Sequence, residues 1–87
     1  MLTFTLQGAI ADVDETVLAE PLHPSVVLLI DAGGEITRVV VPHELIDNRV
    51  ELLLVGQAVE VSGEVRGFPT SPTHVATQLR LPAARLH

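Results

Sequence analysis

The 87-residue sequence contains no cysteine, tryptophan, tyrosine or lysine, and its only aromatic side chains are two phenylalanines. The absence of cysteine excludes disulfide scaffolds and cysteine-ligated zinc sites. No uncharged stretch approaches the roughly 20 apolar residues that a helix needs to cross a bilayer. No leader of basic, apolar and then small residues opens the chain, and we therefore expect a soluble, cytoplasmic protein.

Cationic side chains are also scarce. Five arginines stand against eleven Asp and Glu residues, and the net charge is −6. A field of this sign repels polyanions and argues against a free-standing DNA- or RNA-binding protein. Apolar residues make up 47% of the chain and charged residues 18%, which argues for a folded chain rather than a disordered one. We expect one domain over residues 1–87, with a core at 4–81 and a tail at 82–87.

Alternation of apolar and polar residues from Leu2 to Ile10 predicts a long first strand. Gly8 lies on its inward row, where a glycine indicates a bend or a bulge. Residues 12–24 carry four acids and two prolines. They are predicted to form a loop, with a strand extension at 16–19.

Residues 25–30 and 36–41 are rich in β-branched residues and leucine, and turn residues separate them. With Gly33 and Gly34 as a two-residue turn, the two segments form a hairpin in which Leu29 lies opposite Arg38. The charge-free face of this hairpin is predicted to point inward and comprises Val26, Leu28, Ile30, Thr37, Val39 and Val41. The outer face comprises Val27, Leu29, Asp31, Ile36, Arg38 and Val40.

From 43 to 55 the alternation stops and apolar residues recur at helical spacing, which predicts a short helix. Asp47 is a candidate N-cap and Gly56 a candidate stop. Alternation returns at 58–66 and at 75–81, which predicts two more strands. A five-stranded sheet of this size avoids exposed edges by closing on itself. The predicted fold class is therefore all-β, a five-stranded barrel with one short helix between strands 3 and 4.

Three segments resemble the OB-fold, in particular the small nucleic-acid-binding OB domains of the tRNA-anticodon-binding type. They are Gly8 within the first strand, the hairpin turn at 31–36, and residues 54–65, whose pattern is Leu-x-Gly-x-x-Val-x-Val-x-Gly-x-Val. The resemblance covers about Phe4 to Leu81. It implies a Greek-key barrel whose ligand face is the outer surface of strands two and three, and a nucleic-acid-binding role that individual side chains must support.

The candidate nucleic-acid-binding residues are the cations and the aromatic near this face: Arg38, Arg66, Phe68, His74 and Arg80. Arginines neutralise phosphates, and a base stacked on an aromatic ring contributes about 1–3 kcal/mol. In the alternative interpretation, Phe68 folds back over the barrel mouth and the arginines are solvated or paired with acids. Arg38 has such a partner in Asp31, its diagonal neighbour in the predicted hairpin.

The same face carries aliphatic side chains where a solvated barrel normally has polar ones: Val27, Leu29, Ile36 and Val40. Contiguous exposed apolar surface usually marks an interface, so these residues predict docking of a partner chain or of a second copy. The alternative is that the loop between strands one and two and the loop between strands four and five cover them.

The sequence offers no support for catalysis, because no nucleophile lies beside a base and no glycine-rich loop suits a phosphate. The four acids of residues 12–20 match no calcium loop, and the four histidines lack the spacing of a zinc site. We therefore expect no catalytic residues, no cofactor, no metal and no membrane partner. Composition favours a protein-interaction module, whereas the resemblance favours nucleic acid.

The sequence-based prediction is thus a non-catalytic OB-fold binding module. It is predicted to associate with single-stranded DNA or RNA, alone or as a subunit of a nucleic-acid-processing complex. The alternative is a protein-interaction or oligomerisation module that docks through the apolar outer face of strands two and three.

Overall fold

The computed structural model describes residues 2–14, 25–46, 53–67, 70 and 72–82. The elements are β1 (Leu2–Asp14), β2 (Ser25–Ala32), β3 (Glu35–Pro42), α1 (His43–Ile46), β4 (Ala58–Arg66) and β5 (Thr73–Arg80). Their order is the one expected from the sequence. The predicted strand extension at 16–19, the candidate N-cap Asp47 and the aromatic Phe68 lie outside the described residues.

The five strands close into a barrel in the order β1-β2-β3-β5-β4. β1 closes it, because residues 9–14 pair with β2 while residues 2–9 pair with β4. Neighbouring strands are antiparallel except for β3 and β5, which are parallel. A closed barrel with this strand order and a helix between its third and fourth strands is an OB-fold, so the predicted all-β fold class is confirmed.

The β2–β3 hairpin has the register predicted from the sequence, with Leu29 opposite Arg38. The two glycines of its turn have φ angles of 66° and 90°, a succession that suits glycine far better than other residues. Oδ1 of Asp31 accepts a hydrogen bond of 2.9 Å from the backbone N–H of Gly34 and holds the turn in place.

The inward rows of the strands and the end of α1 form one apolar core. Its buried members are Ile10, Val26, Leu28, Ile30, Val39, Val41, Ile46, Leu53, Val59, Val61, Ala76 and Leu79. Phe4 and Leu6 of β1 pack against this core. Removal of these side chains from water is the main force that closes the barrel.

β1 is longer than predicted, because it continues to Asp14. Its register with β2 shifts at Ala11, so the bulge lies three residues beyond Gly8. Gly8 instead marks a close approach of two strands, since a Cβ built on it would overlap the carbonyl oxygen of Asp31. Gly8 thus lies at the point where β1 stops pairing with β4 and begins to pair with β2.

The helix between β3 and β4 is present, but it is four residues long and begins at His43, directly after β3. The predicted helical stretch through 53–55 is wrong. The carbonyl of Leu54 accepts a hydrogen bond of 2.9 Å from the N–H of Gln57, which forms a tight turn, and Gly56 occupies this turn with a φ of 94°. No helix among the described residues is long and apolar enough to cross a membrane.

β5 begins at Thr73, two residues earlier than predicted, and its register with β4 shifts at Thr77. The shift is a bulge, and it changes which side chains face the core. Ala76 before the bulge and Leu79 after it are both buried. Residues two apart in β5 therefore do not all point to the same side of the sheet.

Candidate nucleic-acid interface

Strand pairing sets the rows of side chains on the outer face of β2 and β3, because directly opposite residues project from the same face. In one row, Leu29 lies between Asp12 of β1 and Arg38 of β3. The next row contains Asp14, Val27, Val40 and Val75. The face thus combines aliphatic side chains with a cation and flanking carboxylates.

The parallel seam between β3 and β5 brings a second cation to this face. Val40 pairs with Val75. Two residues earlier on each strand, Arg38 is therefore level with Thr73, and Thr73 pairs in turn with Arg66 of β4. Arg38 and Arg66 flank β5 on the outer surface, with backbones about 10 Å apart at the usual strand spacing.

Arg38 is exposed and forms no ion pair with any residue that the structure describes. The alternative pair with Asp31 is not formed, and Oδ1 of Asp31 accepts the hydrogen bond of the hairpin turn. Within the described part of the barrel, the Arg38 guanidinium is open to an external anion.

Arg66 is held by an acid but is not enclosed. Its Nε lies 3.3 Å from Oε1 of Glu64, and 63% of its side chain is exposed. An exposed pair of this kind contributes about 0–1 kcal/mol. A guanidinium has N–H donors on three nitrogens, so those on the two terminal nitrogens can still contact a phosphate.

Arg80 lies seven residues further along β5 than Thr73, away from the two other arginines. Its Nη1 is 3.5 Å from Oε1 of Glu60, and Oε2 of Glu60 accepts a hydrogen bond of 2.6 Å from Nε2 of Gln7. The structure therefore places Arg80 in a polar network on β1, β4 and β5. The alternative interpretation, in which an arginine pairs with an acid, describes Arg66 and Arg80 alike. The Arg80 side chain is 73% exposed, and what sets it apart is its position on the barrel.

His74 belongs to the inner rows of side chains, because it pairs with Val39, a core residue. Its ring meets the ring of Phe4 edge to face, with centroids 4.9 Å apart and an interplanar angle of 74°. The structure thus brings Arg38 and Arg66 together and places His74 and Arg80 elsewhere. The position of Phe68 lies outside the described residues.

The predicted apolar patch is only partly open. Ile36 is 55% exposed and Val27 is 2% exposed. Leu29 and Val40 are half-buried. The expectation that Val27 is exposed is corrected, and the open aliphatic surface consists of Leu29, Ile36 and Val40.

A groove of about 690 Å³ follows the β3–β5 seam, and we call it the seam groove. It forms where β3 leaves β5 and turns into α1. Its aliphatic lining is Val40, Pro42, Leu45, Val75 and Ala76, and its polar lining is Ser25, His43, Glu44, Arg66 and Thr77. This groove was not predictable from the sequence, because no local pattern shows that two strands distant in the chain lie side by side.

A second recess, of about 610 Å³, is lined by polar side chains that include Thr5, Ser62, Gln78 and Arg80. Its polar groups bond to one another, since the hydroxyl of Ser62 donates to Oε1 of Gln78 at 3.3 Å. Among the described residues, no three His, Asp or Glu side chains come together in a way that could hold a metal ion.

Comparison with known proteins agrees with the architecture. No family model matches the sequence, and no curated protein is significantly similar to it. The dimeric N-terminal domain of PriB protein from Thermoanaerobacter tencongensis has a similar structure, with a TM-score of 0.78 and 16% identity over 95% of this chain and 98% of that chain. The Stn1-ten1 complex of S. pombe contains a similar chain, with a TM-score of 0.67 and 23% identity over 92% of this chain and 57% of that one. At these identities the likeness establishes the fold.

Proposed function

We propose that this chain is a single-domain, non-catalytic OB-fold module that binds single-stranded nucleic acid as a subunit of a larger cytoplasmic assembly. The observation that carries the proposal is the placement of Arg38 and Arg66 on one outer face, on either side of β5. The open aliphatic surface lies beside them and offers apolar contact to bases, and the phosphates of one strand can bridge the two guanidinium groups.

The electrostatics explain why a partner belongs in this proposal. The net charge of −6 opposes a polyanion, and two arginines support only modest affinity. A partner chain can supply further cations and stacking residues. One of the two similar structures is described as dimeric and the other as a complex, which supports a role within an assembly.

Two finer points of the proposal rest on the sequence. The assignment to the tRNA-anticodon-binding type of OB domain depends on the pattern in residues 54–65. The stacking role of Phe68 depends on its place in the loop between β4 and β5. Phe68→Ala is expected to weaken binding if that ring stacks on a base.

A second candidate function is protein docking through the open aliphatic surface of Leu29, Ile36 and Val40. The observation that favours it is the 55% exposure of Ile36, a large apolar side chain at the start of β3, next to the hairpin turn. Isolated exposed apolar residues are common, but contiguous ones usually mark an interface.

The test of nucleic-acid binding is fluorescence anisotropy with a labelled single strand of about 15 nucleotides at low salt. Arg38→Ala is expected to weaken binding by about two- to fivefold, the effect of losing one exposed ion pair. Arg80→Ala is the matched control, because it removes the same charge from the polar network with Glu60 and Gln7, away from Arg38 and Arg66. It should leave the affinity nearly unchanged. No binding by the wild type, or equal losses in both variants, would contradict the proposed interface.

A further inference from the structure

Among the polar side chains of the seam groove are an imidazole, a carboxylate and a guanidinium: His43 and Glu44 of α1, and Arg66 of β4. The next two residues of α1 anchor this helix to the barrel, because Ile46 is 0% exposed and Leu45 packs against the core. Arg66 is anchored through Nε by Glu64. The groove is therefore lined by groups on ordered elements of the barrel.

The groove is the size of a site for one nucleotide. Its volume of about 690 Å³ lies within the roughly 300–1,000 Å³ that is usual for small-molecule sites. Val40 and Val75, both half-buried, provide apolar surface for a base. Val40 also belongs to the outer face that carries Arg38, so a strand in the groove can continue onto that face.

We propose that the seam groove binds one nucleotide of the strand and that the Glu44 carboxylate favours cytosine over thymine at this position. The inference rests on the proposed function and adds a base preference to it. An ionised carboxylate only accepts hydrogen bonds. Cytosine donates one from its exocyclic amino group. Thymine presents a carbonyl oxygen at the same position, and its one donor on this edge, N3–H, lies between two carbonyl oxygens that the carboxylate repels.

The other two polar groups complete the site. The terminal nitrogens of Arg66 contact the phosphate of the bound nucleotide, and the imidazole of His43 offers a flat face to the base. A cation and a carboxylate in one groove suit a nucleotide better than a simple anion, because the carboxylate would repel an anion that lacked hydrogen-bond donors.

The test compares labelled oligo(dC) and oligo(dT) of about 15 nucleotides by fluorescence anisotropy. We expect the wild type to bind oligo(dC) about fivefold more tightly or better, since one directed base contact discriminates by about 1 kcal/mol or more. In Glu44→Gln the amide also donates to thymine, so the ratio should fall to about one. Glu35→Gln removes the same charge from the exposed start of β3 and should preserve the ratio.

A second readout locates the nucleotide. Titration with deoxycytidine monophosphate should shift the backbone amide resonances of Val75, Ala76 and Thr77, and thymidine monophosphate should shift them less. If the wild type binds neither oligonucleotide, the proposed function fails and this inference fails with it. If it binds both equally, or if Glu44→Gln keeps the preference, the base preference alone is overturned.

Discussion

Gly8 lies where β1 passes close to β2, and a Cβ at this position would overlap the carbonyl oxygen of Asp31. The two strands would have to move apart, because the obstacle is backbone rather than a flexible side chain. We expect Gly8→Ala to lower the free energy of unfolding by about 2 kcal/mol or more, as overpacking in a core does. Urea unfolding followed by far-UV circular dichroism measures the change.

Gly33 provides the control for this prediction, because nothing lies within 4 Å of a Cβ built on it. Its φ of 66° is in the left-handed region that asparagine tolerates. Gly33→Asn should therefore keep the free energy of unfolding within about 0.5 kcal/mol of the wild-type value. Wild-type stability of Gly8→Ala would contradict the close approach of the two strands.

Single side chains of the candidate site were predictable only where local alternation decides their direction. Arg38 was correctly placed on the outer face, because a slip of one residue would have turned its charge into the core. His74 was not, because its direction depends on pairing with Val39, from a distant part of the chain. Glu44 gave no sequence signal, since the residues that line the groove with it include members of four different strands.

The β2–β3 hairpin assigns two adjacent leucines to opposite faces. Leu28 is 0% exposed, whereas Leu29 is half-buried on the outer face. Leu28→Ala is expected to lower the free energy of unfolding by about 2–5 kcal/mol, because it leaves a cavity in the core. Leu29→Ala should lower it by about 1 kcal/mol or less. Parallel urea titrations of the two variants check this, and equal losses would mean that the hairpin register is wrong.

The elements that followed from the sequence are those with a strong two-residue period and clear turns, namely the hairpin and β4. The segment at 53–55 was misjudged, because its apolar run resembles a helix face. Its actual conformation depends on β1, since Ile10 exchanges backbone hydrogen bonds with Gly56 and Gln57 at 2.8 and 2.9 Å. Local periodicity carries no information about such a partner, nor about the bulge that changes the face of β5.

The charge of the whole molecule makes nucleic-acid binding depend on a few local cations. If Arg38 and Arg66 each contact a phosphate, the logarithm of the binding constant should fall with the logarithm of salt concentration at a slope of about −1.4. Arg38→Ala should reduce the slope to about −0.7. Anisotropy titrations over a salt series measure both values, and a wild-type slope near zero would contradict phosphate contacts.

Self-association through the same face would respond to salt in the opposite direction. Each copy carries a charge of −6, and screening weakens the repulsion between copies without weakening burial of apolar surface. For this second function we expect sedimentation velocity to show more dimer as salt and protein concentration rise. Ile36→Glu should remain monomeric, because it places a charge on an exposed position of the face. A wild-type chain that stays monomeric at every salt concentration would exclude a second copy as the occupant of this face.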